Sequence, residues 1–283
     1  MIKILLPTDF SENAYNAIKY AAELYENEEC NFYLLNTYTP VLYDTEYILY
    51  SPSPLSLHEI YRNKSLKGLE KTERQINKDM PNSKHNWELV SSFNTLSDEI
   101  KIQVKEKKID LVVMGTQGAT GAKMILFGTN TVHAIKKASC PLLAIPSGYE
   151  FKTLKNILFP TDYDLKFSDK YLNFLKRLIE NHASTIHIVN VYFGIPLDTE
   201  QEKSKKFLEE YFKKIQHKFY KIEKSSVPEG IDEFQNKNPV DLMVMISNKH
   251  SFFENLLFRP VINEIGFYIK IPFLVIPSGK YNS

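Results

Sequence analysis

The sequence predicts an α/β protein built as two tandem, doubly wound, parallel-sheet domains, and three observations lead there. Short continuous apolar runs such as Ile4-Leu5-Leu6 and Leu111-Val112-Val113-Met114 alternate with segments of helical periodicity. This is the pattern of βαβ units whose strands are buried on both faces. The second half of the chain restates the first, and 283 residues exceed what one core ordinarily serves.

In chain order, Ile4-Leu5-Leu6 reads as the first strand, closed by Pro7-Thr8-Asp9. Ser11 is placed to cap a helix in which Ala14, Ala17, Ile18, Ala21, Ala22 and Tyr25 form an apolar stripe. Phe32 to Leu35 is strand two, followed by an irregular segment from Thr37 to about Pro54 and a helix from about Ser56 to Lys78. Trp87 to Val90 is strand three, Ser97 is expected to cap a helix running to about Lys107, and Leu111 to Met114 is strand four. Val132 to Ala138 is helical, and Pro141 to Ile145 is strand five, closed by Pro146-Ser147-Gly148.

The chain then repeats. Ile157-Leu158-Phe159-Pro160-Thr161-Asp162-Tyr163 restates Ile4 to Phe10 at an offset of 153, and Ile188 to Tyr192 restates Leu34 to Tyr38 at 154. Later the offset falls to 131, where Asp241 to Met245 matches Asp110 to Met114 and Ile271 to Gly279 matches Cys140 to Gly148. The expected domains are residues 1–148 and 152–283. The fall in offset places extra residues in the first half after strand two, among them Tyr38, Tyr43, Tyr47, Tyr50 and Ser51-Pro52-Ser53-Pro54. That aromatic loop either packs on its own or the neighbouring domain or covers a ligand.

With 43% hydrophobic and 24% charged residues and a net charge of +1, disorder is excluded and no polyanion partner such as nucleic acid is implied. Lysines are interleaved with acids, as in Glu202-Lys203-Ser204-Lys205-Lys206, which reads as a solvated helix face. Cys30 and Cys140 lie in or beside predicted strands without CxxC or His neighbours, so both read as core residues in a reducing, cytoplasmic setting. The N-terminal apolar run is too short for a signal peptide, and no stretch approaches the ~20 apolar residues of a membrane span.

The chemistry concentrates at Met114-Gly115-Thr116-Gln117-Gly118, nine further residues, then Gly128-Thr129-Asn130-Thr131. The glycines fall where a strand gives way to a loop and a helix. Exposed N–H groups and the positive end of the helix dipole favour an anion there, and glycine lets backbone come close to it. Neither Walker A nor the dinucleotide fingerprint occurs.

The spacing G-x-x-G, nine residues, G-[ST], together with the first strand ending in Pro7-Thr8-Asp9, resembles the universal stress protein family, over essentially both halves. The resemblance implies the adenine nucleotide alpha hydrolase-like fold. It also implies binding of ATP, or of AMP or ADP, in the first half. Pro7, Thr8 and Asp9 would then lie beside the nucleoside, with the Asp9 carboxylate reaching a ribose hydroxyl. Asn36, standing where the family often has His, and Thr37 would offer main-chain groups to adenine. Met114, Gly115 and Gly118 would line the ribose and inner phosphates, and Gly128, Thr129 and Asn130 the outer phosphates. Any Mg2+ would be held mainly by phosphate oxygens and water. Lys123 reads as a solvated side chain in reach of phosphate at most, and His133 as a packing or surface residue rather than a catalyst.

No Ser-His-Asp or Cys-His spacing, HExxH motif or carboxylate cluster nominates a hydrolytic centre. The resemblance therefore implies a nucleotide-dependent regulatory module with an unknown protein partner. A slow ATPase or nucleotide-dependent transferase is the alternative. At offset 131, Gly115, Gly118, Gly128 and Thr129 become Ile246, Lys249, Arg259 and Pro260, so the second domain reads as structural or regulatory. Related single-domain proteins pair through the last strand, which implies an internal pseudo-dimer with Leu142 to Ile145 antiparallel beside Phe273 to Ile276. Homo-oligomers of the whole chain are compatible with this.

Overall fold

The computed structural model describes residues 1–39, 54–116, 129–247 and 270–278, with backbone alone at 54–57 and 129. The chain divides into two compact units, Met1–Glu150 and Phe151–Ser283. The tyrosines and prolines of 40–53, Gly118, Gly128, Lys123, Lys249, Arg259 and Pro260 lie outside the described residues.

In unit 1 the order is β1 (Ile2–Pro7), α1 (Glu12–Leu24), β2 (Cys30–Thr37), α2 (Pro54–Asp79), β3 (His85–Ser92), α3 (Leu96–Lys107), β4 (Leu111–Gly115), α4 (Thr129–Lys137) and β5 (Leu142–Ile145). The strands run β3-β2-β1-β4-β5, all parallel, with Ile4 opposite Phe32 on one side and Leu111 on the other. Central strands read as unbroken apolar runs because helices cover both faces, and Ile4, Leu5, Leu6, Leu34, Leu35 and Val112 are all 0% exposed. Asp110, just ahead of β4, locks the sheet's centre: its Oδ2 accepts from Lys3 N at 2.9 Å and its own N–H donates to Lys3 O at 2.8 Å.

Ser11 caps α1 as expected, its Oγ accepting from Ala14 N at 3.2 Å. The expected cap of α3 is corrected. Thr95, not Ser97, sits in the extended cap conformation and accepts from Asp98 N at 3.3 Å. The acid three residues on decides it, because Asp98 also receives the Thr95 hydroxyl at 2.8 Å, whereas the residue three beyond Ser97 is Ile100. Ser97 falls in the first turn, where its hydroxyl accepts from Lys137 Nζ. Both cysteines are buried free thiols.

Unit 2 comprises β6 (Asn156–Pro160), α5 (Asp169–His182), β7 (Thr185–Tyr192), α6 (Thr199–Phe212), β8 (His217–Glu223), α7 (Val227–Lys237), β9 (Leu242–Ser247) and β10 (Phe273–Pro277). Its strands run β8-β7-β6-β9-β10, all parallel, the same order as in unit 1. Asp241 does there what Asp110 does in unit 1, its Oδ2 accepting from Lys155 N and Asn156 N at 2.9 and 2.8 Å. Among the described residues, no helix is long and apolar enough to cross a membrane.

Candidate functional site

In unit 1 the chain leaves β1 toward β2 and β3 on one side and returns through β4 to β5 on the other. Connections above the carboxyl ends of β1 and β4 therefore diverge and leave a crevice at the switch of direction, where open parallel sheets bind ligands. Pro7, Thr8 and Asp9 end β1 there, and Met114 and Gly115 end β4. Asn36 and Thr37 end the neighbouring β2.

The turn after β1 is rigid for reasons visible in its side chains. Thr8 N donates to Leu35 O at 2.8 Å, and the Thr8 carbonyl accepts from the buried Asn36 Nδ2 at 2.7 Å. Thr8 Oγ1 accepts from Phe10 N, and Asp9 Oδ1 accepts from Ser11 N, each at 3.0 Å. Phe10 is thereby held at φ 66°, a left-handed conformation that a bulky residue rarely adopts. Its ring rests on Gly68 in the middle of α2, where a Cβ would come within 2.6 and 2.7 Å of the ring's Cε atoms. Asp9 stays exposed at the mouth. Asn36 was expected to serve adenine through its main chain, and its side chain is committed to this turn.

On the β4 side, Thr116 N donates to Ile145 O at 2.9 Å, and the buried Thr131 hydroxyl donates to Gly115 O at 3.0 Å. Thr131 thus ties the first turn of α4, which carries Thr129 and the exposed Asn130, to the end of β4. The Thr116 hydroxyl is buried with no partner among the described residues, an orphaned polar atom beside the predicted anion loop. Among the described residues, no group of three or more His, Cys, Asp or Glu is arranged to hold a metal ion. The Thr116 hydroxyl and the first-turn N–H groups of α4 are donors of the kind that fit phosphate oxygens.

Beyond Asn36, Tyr38 after β2, Phe93 after β3 and His58 on α2 form an aromatic group, of which sequence reading named Tyr38 and missed Phe93 and His58. The Tyr38, His58 and Phe93 rings lie 5.4 to 5.9 Å apart, and Phe93 is 52% exposed. The loop bearing Phe93 is fastened to Glu99, itself 5% exposed. That carboxyl group accepts from Ser92 Oγ at 2.8 Å, Asn94 Nδ2 at 3.0 Å and Gln103 Nε2 at 2.7 Å.

Unit 2 keeps the turn and loses its surroundings. Asn190 Nδ2 donates to Thr161 O at 3.0 Å, Thr161 Oγ1 accepts from Tyr163 N, and Tyr163 has φ 62°. Here, however, Gln201 at the start of α6 donates to Asp162 O at 3.0 Å, and Tyr163 is only 2% exposed against 40% for Phe10. Ile246 fills the position of Gly115, and its side chain is buried.

The universal stress protein family model matches residues 1–146. The chain belongs to the universal stress protein family. Two universal stress proteins of Methanocaldococcus jannaschii are similar to it. MJ0577 is 31% identical over 156 residues, covering 50% of this chain and 93% of that protein. MJ0531 is 27% identical over 150 residues, covering 50% and 81%. A universal stress protein from Archaeoglobus fulgidus shares the fold at 16% identity with a TM-score of 0.69, covering 96% of this chain and 97% of that one.

Proposed function

We propose that this universal stress protein binds one adenine nucleotide of the ATP class in unit 1 and acts in the cytoplasm as a nucleotide-dependent regulatory module of stress response. The observation that carries this reading is the crevice at the β1/β4 switch. There the Pro7-Thr8-Asp9 turn, Gly115 and the Thr131-tethered start of α4 meet on one edge. In this reading Asp9 accepts from a ribose hydroxyl and the main chain of Asn36 and Thr37 meets adenine. Met114, Gly115 and Gly118 line the ribose and inner phosphates, while Gly128, Thr129 and Asn130 line the outer ones. Mg2+ enters on phosphate oxygens and water.

Unit 2, with Ile246 in place of Gly115 and its turn covered by Gln201, is a structural or regulatory partner. We further propose, from the repeat of the last strands alone, that the domains 1–148 and 152–283 form an internal pseudo-dimer through Leu142–Ile145 and Phe273–Ile276. A crystal structure with those strands apart overturns that pairing.

Mass spectrometry of ligand released from purified protein should recover an adenine nucleotide, and calorimetric titration with ATP should give a stoichiometry near one. Gly118→Lys, which installs the side chain unit 2 carries at that position, should abolish binding. Two sites per chain, or undiminished affinity in that variant, refutes the site.

A further inference from the structure

Phe93, just after β3, is 52% exposed even with its ring against Tyr38 and His58. Single exposed apolar side chains are ordinary, but this one is displayed on a loop that is expensive to fix. A carboxyl group taken out of water needs its acceptor positions filled, and Glu99 fills them with the side chains of Ser92 and Asn94, the residues on either side of Phe93. Asn94 Oδ1 in turn accepts from Thr95 N at 2.8 Å, which ties the loop to the cap of α3. The effect is to tie down both neighbours of Phe93, whose half-exposed ring rests against Tyr38 and His58.

Comparison of the two units sharpens this. The helix caps Thr95 and Ser226 are equivalent, so Phe93 corresponds to Lys224 and Glu99 to Gly230. Unit 2 therefore keeps the strand, the loop length and the cap but has neither the ring nor its anchor. Its Lys224 ammonium pairs instead with Glu233 at 2.7 Å. The half that lost the glycines lacks the Phe93 ring and its Glu99 anchor, although it keeps Tyr192 where unit 1 has Tyr38, and both halves keep the Asn-latched turn.

Resting on the nucleotide-binding reading above, we propose that Phe93, with Tyr38 and His58, forms a stacking platform for the base of the bound nucleotide. β3 lies two strands from β1, and at ~4.8 Å per strand this is about 10 Å, the reach of a nucleoside whose ribose sits at Asp9. A ring face attracts any base without reading its edge, so the platform supplies affinity and the β2 main chain supplies identity. The exposed ring is thus a binding residue of unit 1, and Glu99 is a positioning residue that acts through it.

The test titrates the full chain with ATP and with inorganic triphosphate, in wild type, Phe93→Ala and Phe93→Tyr. Phe93→Ala should weaken ATP about tenfold or more, the scale of losing one base–aromatic stack, and leave triphosphate unchanged. Phe93→Tyr should retain ATP affinity. Phe93 is half exposed, so the emission of Trp87, the chain's one tryptophan, and its urea midpoint should match wild type in both variants. Equal ATP affinity in wild type and Phe93→Ala overturns the platform while leaving the nucleotide site standing. So does a parallel loss of triphosphate, or a wild type that binds triphosphate as tightly as ATP. A wild type that binds neither ligand overturns both readings.

Discussion

Replacing Glu99 with alanine removes the acceptor for three side-chain donors at once. Ser92 and Asn94 are partly exposed and can turn to water, so each loss costs little. Gln103 cannot: it is 7% exposed, its Oε1 already lacks a partner among the described residues, and its Nε2 would be stranded as well. A stranded buried donor costs about 1–3 kcal/mol, the other two bonds add about 1 kcal/mol together, and the release of a desolvated carboxyl group offsets part of this. The net expectation is about 2–3 kcal/mol, or a urea midpoint lower by roughly 1 M. Trp87 stacks on Phe32 at 4.6 Å in β3 of unit 1, so its fluorescence follows this unit without interference from the other. Glu99→Gln, which keeps the volume but cannot accept from all donors, should fall between. A Glu99→Ala midpoint within about 0.2 M of wild type would refute the claim that this network holds the β3–α3 loop.

Asn36→Ala and Asn190→Ala each free one buried carbonyl, of Thr8 and Thr161 respectively. Both should lower thermal stability by about 1–3 kcal/mol, and only Asn36→Ala should also weaken ATP in calorimetry. Gly230→Ala gains about 1 kcal/mol of helix propensity, but its Cβ would lie 2.5 and 3.0 Å from the Val191 methyls. A stiff β-branched neighbour cannot swing aside, so a net loss of about 1–2 kcal/mol is expected in denaturant titrations. Gly68→Ala instead meets the ring of Phe10, which is 40% exposed and can move, so its cost should appear in ligand affinity more than in stability.

His187 is 5% exposed between Tyr220 Oη at 3.1 Å and Asn156 Oδ1 at 3.0 Å, and burial, aided by Lys218, pushes its pKa below the usual histidine value. The unfolded chain then binds the proton more readily, so stability is full above about pH 6.5 and falls as pH drops toward the depressed native value. His187→Gln should flatten that decline in melting temperatures measured across the range.

The strands were legible because burial on both faces leaves them as uninterrupted apolar runs, and the duplication was legible because core positions tolerate little change. Side-chain commitments were less visible. Ser97 and Thr95 are equally good caps in isolation, and only the acid at Asp98 separates them. Asn36 looked like a contributor to adenine, and its repeat in Asn190 hinted at a shared structural task that the Thr8 and Thr161 carbonyls make explicit. Glu99 reads in sequence as one more solvated acid of Leu96-Ser97-Asp98-Glu99, since nothing local announces that its donors come from a strand end and a helix turn. Tyr38, His58 and Phe93 are far apart in the chain, and only strand order brings them together.

The placement of β1 has a consequence for how the protein comes into being on the ribosome. β1 occupies the middle of its sheet, yet its β4 neighbour begins at Leu111. At ~5–20 residues per second, roughly 5–20 s of synthesis separate the two. During that interval the growing chain can form only a three-strand ribbon of β1, β2 and β3, with one flank of β1 bare to neighbouring nascent chains. The crevice at the β1/β4 switch, the proposed nucleotide site, has just one wall at that stage. It comes into existence only when β4 docks, so a polypeptide able to hold ligand is one whose first sheet is already finished, and ligand supply during translation would reward completion rather than initiation of that sheet.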